Sequence, residues 1–175
     1  MIQKLFKAAF VCPHFILMML GGISVASLLA AFTAQYGFDM RPCELCLYQR
    51  IPFAVVILLS VFGIAAVKSM GTKYGVFNIV LCAIALLINS GIAFFHVGVE
   101  QQWWAYGCSV PDFSGLSPDE MMAAIKAAPA VSCGDIPWEM FGISMAGYNV
   151  MMCGTLGIYA LIASVTVIKH KNVEN

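Results

Sequence analysis

The stretch RPCELCLYQR, residues 41–50, sets Cys43 and Cys46 in a C-x-x-C pair with Arg50 four residues beyond the second thiol. Two further cysteines, Cys108 and Cys133, lie in a later polar segment. Three chemistries suit four such thiols. Zinc bound as Cys₄ usually takes two tight knuckles, which Cys108 and Cys133 do not form, and no metal is expected. Two static disulfides are a second reading, and a bridge between 108 and 133 would be an ordinary loop staple. A bridge within C-x-x-C closes too small a ring to remove much chain entropy. It suits an exchangeable redox pair better than a brace.

The surroundings of Cys46 favour exchange. Pro42 suits the first turn of a helix, so Cys46 falls near a helix N-terminus, where the macrodipole favours a thiolate. Arg50 projects from the same face and adds positive charge. Both effects lower the thiol pKa and make its sulfur a good leaving group. The plainer reading of Arg50 is a snorkelling interfacial anchor. Pro52 lacks an N–H and is expected to bend the helix just beyond.

The elements that must hold these residues are membrane helices. Of 175 residues, 61% are hydrophobic and only 10% charged, and the formal net charge is zero. Zero net charge argues against nucleic acid as a partner. A helix needs about 20 apolar residues to cross about 30 Å of hydrocarbon. Stretches near 11–33, 51–67, 74–95 and 141–168 qualify, the second borrowing length from residues 43–50. The expected fold is an all-α membrane protein: a bundle of four transmembrane helices in one domain over 1–175. Lys4, Lys7, Lys68, Lys73, Lys169 and Lys171 alternate onto one face, which puts both termini in the cytoplasm. Loops 34–50 and 96–140 then lie outside. The first apolar run exceeds the length of a signal-peptide core, which favours a retained helix.

Within the spans, Gly22, Ala26 and Ala30, and later Gly142, Ala146, Gly154 and Gly157, are expected to let helix backbones approach. Asn78, Asn89 and Asn149 are expected to bond across helices in a structural role. Cys12, Cys82 and Cys153 fall in or at the inner end of spans, as small inert hydrophobes. The four outer thiols form an even set, for which disulfides are the default in an oxidising compartment.

The long second loop holds SPDE at 117–120, a capping box with Ser117 as N-cap, Pro118 at N1 and Glu120 reaching back. Met121, Ile125 and Ala128 follow on one face, so a short amphipathic helix on the membrane surface is expected there. It would tether a loop that carries Cys133 towards Cys43. His96 and Glu100 share a face if the third helix extends outward. His96 is then placed to relay a proton near the site, or simply to bond at the interface. Trp103, Trp104 and Trp138 are interfacial anchors.

The C-x-x-C in the first outer loop, the aromatic and arginine just after it, four spans, and a second cysteine pair in a long second outer loop together resemble the DsbB family. The likeness runs over nearly the whole chain. The vitamin K epoxide reductase family shares a four-helix core, but its C-x-x-C follows the loop pair. The DsbB resemblance implies a quinone-dependent thiol oxidase of the bacterial inner membrane, with its active site facing the periplasm. By that analogy, a soluble DsbA-type oxidase passes electrons to Cys108 and Cys133, with Cys108 taking the mixed disulfide. Cys133 then attacks Cys43 and expels Cys46. Arg50 holds the head group of ubiquinone or menaquinone, with Cys46 and His96 beside it. A DsbA-like partner is strongly oxidising, at about −120 mV, and so requires a stronger acceptor. No flavin, haem or dinucleotide motif occurs. The rival readings are outward delivery of reducing power, which would need reactive cytoplasmic thiols beyond Cys12, and a membrane scaffold with purely structural cysteines.

Overall fold

The computed structural model describes residues 10–104, 117, 119 and 132–174 of the chain. Four long helices dominate: α1 (Pro13–Gly37), α2 (Glu44–Met70), α3 (Thr72–Glu100) and α4 (Met145–Glu174). A two-stranded antiparallel hairpin, β1 (Glu139–Met140) and β2 (Ile143–Ser144), leads into α4. All four helices are long and apolar enough to cross a membrane. This is an all-α multi-pass membrane bundle.

The helices outrun the apolar stretches that signal them. At one end α2 takes in most of RPCELCLYQR, and α3 continues through His96 to Glu100. At the start of the fourth apolar stretch, residues 141–144 form a turn and a strand instead of helix. Phe141 and Gly142 both have positive φ, at 54° and 74°, as a tight two-residue hairpin requires. At the other end Gly71, with φ 94°, joins α2 to α3, and its N–H caps the Val67 carbonyl.

α3 is the central element, packed on α2 and α4, while α1 leans mainly on α2 and touches α4 little. Leu17, Leu20, Val56, Ile79, Leu86, Cys153 and Ala160 form the shared core. Large apolar side chains such as Leu58, Phe62, Phe77 and Ile158 face outward. Lipid is as apolar as leucine, so close packing must hold such helices together. Gly157 permits this between α3 and α4, since a Cβ there would lie 2.8 Å from the Leu87 side chain.

Three expectations need correction. On α1 it is Gly21, against Ser60, that sits at the close approach, whereas Gly22, Ala26 and Ala30 are exposed. A stripe of small residues is common to two neighbouring faces there, and only burial separates them. Asn78 bonds the Tyr74 carbonyl of its own helix and, among the described residues, no other helix. Pro42 is not in the first turn of α2, because the N-cap is Cys43, whose sulfur accepts the Cys46 N–H at 3.3 Å. Pro52 lies within α2, which runs on through it. Cys108, Pro118, Glu120, Met121, Ile125 and Ala128 lie outside the described residues.

Candidate active site

The cap of α2 brings the two thiols together. With Cys43 as N-cap, one turn of helix returns Cys46 to it, and the sulfurs stand 2.8 Å apart with Cys43 donating. The Cys46 sulfur hydrogen bond, and then burial, push the Cys43 thiol far above its ordinary value of 9.0. Cys43 is therefore the protonated partner and Cys46 the sulfur that accepts. Glu44, between them, is exposed and takes a hydrogen bond from Tyr48, so it turns away from the pair.

Cys133 arrives from the segment before the hairpin and is buried in one small cluster with Cys43, Leu45 and Val99, against which Cys46 packs. From α3, His96 Nε2 lies 3.5 Å from Cys43 Sγ and 3.8 Å from Glu100 Oε1. His96 Nδ1 meets Gln49 Nε2 at 2.9 Å, and the Cys133 main chain also hydrogen-bonds the ring. Glu100 is buried and accepts from Ser144, whose oxygen also receives the Gly147 N–H at the start of α4. Sequence placed His96 and Glu100 on one face. The hairpin that supplies Ser144 was not foreseen.

A cavity of about 460 Å³ opens among the helices, lined among others by Ala31, Ala34, Cys46, Arg50, His96 and Trp138. Cys43 also borders it, whereas Cys133 does not. Both cavity-bordering thiols pack with Cys133. Arg50 donates to Gln35 at 2.7 Å, and its guanidinium carbon stands 5.0 Å from the Phe32 ring centre. A guanidinium has five N–H donors, so a carbonyl-bearing ring in this cavity would find donors at one end and apolar walls around it. The volume lies in the usual range for small-molecule sites. These residues fit a quinone head group.

They fit a metal less well. Among the described residues, Cys43, Cys46 and His96 form the one cluster of donors able to hold a cation, with all ligand atoms within 4.8 Å of one another. Tetrahedral zinc with Zn–S of about 2.3 Å separates two sulfurs by roughly 3.8 Å. The observed 2.8 Å would have to open.

Sequence reasoning missed Gln49, Gln35 and Phe32. Gln49 left a signal: it is a polar side chain three residues after Cys46, at the entrance to an apolar run, and it is buried.

Comparison with known proteins gives the family. Residues 13–163 match the family described as disulfide bond formation protein DsbB. Disulfide bond formation protein B of Xanthomonas campestris pv. campestris is 32% identical over 163 residues, 87% of this chain and 90% of that one. The protein of the same name from Mannheimia succiniciproducens is 25% identical over 143 residues, 81% of this chain and 79% of that one. The one from Histophilus somni is 26% identical over 144 residues, covering 77% and 76%. The chain belongs to the DsbB family of disulfide-forming membrane oxidoreductases.

Proposed function

We propose that this protein is a thiol:quinone oxidoreductase that reoxidises a soluble DsbA-type dithiol oxidase. It would work as a single domain in the bacterial inner membrane, with the thiol end of the bundle facing the periplasm. The observation that carries the reading is the clustering of groups: buried Cys133 packs with Cys43, Cys46 lies against both, and Cys43, Cys46 and Arg50 border one cavity.

The sulfur chemistry runs through these groups. A partner thiolate attacks Cys108 of a Cys108–Cys133 disulfide, a partner–Cys108 bond forms, and Cys133 leaves with the electron pair. Cys133 attacks Cys43, their bond forms, the Cys43–Cys46 bond breaks, and Cys46 departs as thiolate. The partner's second thiolate then displaces Cys108 to close the partner's disulfide, and Cys108 displaces Cys43 from Cys133, which leaves Cys43 and Cys46 reduced. Burial of Cys43 beside Cys133 supports attack at that sulfur. Departure of Cys46 is supported by the helix N-terminus, which favours negative charge there. A bound quinone supplies the two-electron acceptor that drives the sequence. Arg50 would orient its head group and stabilise the negative charge that develops there, and the apolar lining keeps water away from the thiolate.

The test is turnover of purified protein with a reduced DsbA-type substrate and a short-chain quinone. The unmutated protein reduces quinone, and Cys46→Ser does not. Absence of quinone reduction in the unmutated protein would favour the scaffold reading instead.

A further inference from the structure

A line of hydrogen bonds runs from the thiol pair into the bundle. Asn89 Nδ2 donates to Cys153 Sγ at 3.4 Å, and Cys153 donates to Asn149 Oδ1 at 3.1 Å. Asn149 Nδ2 donates to Gln49 Oε1 at 2.6 Å, which leaves the Gln49 NH₂ facing His96 Nδ1 at 2.9 Å. An amide NH₂ can only donate. His96 Nδ1 must then offer its lone pair, and the ring proton sits on Nε2. That nitrogen faces Cys43 Sγ and Glu100 Oε1, and the Cys133 main chain is a third partner of the ring.

The direction of the chain is not arbitrary. At its far end Asn89 Oδ1 is buried without a partner. Reversing every donor would put an NH₂ group in that place. Buried carbonyl oxygens are left underpaired more often than N–H groups, so the cheaper polarity is the one in which all donors point towards the sulfurs.

We propose that Gln49, oriented by Asn149, Cys153 and Asn89, is a positioning residue that fixes His96 as its Nε2–H tautomer and turns that proton onto the Cys43 sulfur. His96 then acts on sulfur as a hydrogen-bond donor and does not draw a proton from Cys43. During attack by Cys133 the N–H polarises Cys43, the sulfur that must accept the new bond, and leaves Cys46 to carry away the electron pair. Cys153 and the two asparagines thereby gain a role beyond packing. This consequence rests on the thiol relay proposed above, but the tautomer can be read without any turnover.

The experiment is ¹⁵N spectroscopy of the histidine ring in full-length, reduced protein at pH 8. His14→Gln and His170→Gln leave His96 as the single labelled ring. The expected spectrum has Nδ1 in the unprotonated range and Nε2 in the protonated range. In Gln49→Glu the carboxylate can only accept, so the proton moves to Nδ1 and the two signals exchange character. In Asn149→Leu the Gln49 amide loses its orientation, and both nitrogens move towards intermediate shifts. A proton on Nδ1 in the unmutated protein would overturn the proposal. So would a Gln49→Glu spectrum identical to the parent. If Gln49→Glu fails to fold, the parent spectrum and Asn149→Leu decide. Loss of quinone turnover with the expected spectrum would refute the relay and spare the tautomer.

Discussion

Replacing Arg50 separates the cavity from the thiol relay. Its guanidinium spends one N–H on Gln35, at 2.7 Å, and stands 5.0 Å from the Phe32 ring centre, so it is held at the cavity wall before any ligand arrives. Hydrogen bonds to charged groups contribute about 1.5–3 kcal/mol. With tenfold per 1.4 kcal/mol, Arg50→Gln should weaken quinone binding roughly 10- to 150-fold. Arg50→Lys keeps the charge but loses the planar fork, so its loss should fall near the lower figure. Steady-state kinetics in lipid discs, varying a short-chain quinone at saturating reduced partner and then the reverse, reads the two sides apart. The quinone KM should rise and the partner KM should hold, because Cys133 does not border the cavity. A quinone KM within twofold of the parent, or a rise confined to the partner KM, would refute the assignment.

Four other outcomes follow from the geometry. Because the Cys46 hydrogen bond and burial raise the Cys43 pKa, Cys43 stays protonated as pH passes 9.0; limited alkylation of the dithiol form should label Cys46 first, and mass spectrometry showing Cys43 labelled first would contradict this. Ser144→Ala removes both the bond to Glu100 and a helix cap, so stability in detergent should fall by about 2–4 kcal/mol. Ser144→Asp retains the cap but sets a carboxylate against Glu100, and should also be less stable than the parent by unfolding measurements. Gly157→Val drives a side chain into Leu87, which should cost about 1–3 kcal/mol and leave quinone KM unchanged if the bundle assembles.

The four helices were legible because bilayer thickness imposes a length that few other structures need. Their ends were not, since hydropathy stops marking a helix once it leaves hydrocarbon. That is why the cap at Cys43 and the reach of α3 to Glu100 emerged only from the backbone. The thiols announced themselves by type and spacing, and Arg50 by its register with Cys46. Gln49 and Ser144 did not, because each draws its meaning from a partner more than forty residues away in sequence. Asn89 and Asn149 were expected to bond across helices, and they do. Their link through Gln49 to the histidine depends on side-chain directions that no spacing rule encodes. The small-residue row on α1 misled because spacing alone does not say which face of a helix meets a neighbour.

The most direct measurement of the central claim is an anaerobic single turnover. Fully reduced protein is mixed with one equivalent of quinone, and quinone absorbance is followed while thiols are trapped and mapped. One quinone should be reduced for each Cys43–Cys46 disulfide formed, with no partner protein present. Quinone that stays oxidised, or that is reduced while Cys43 and Cys46 remain thiols, would contradict the account.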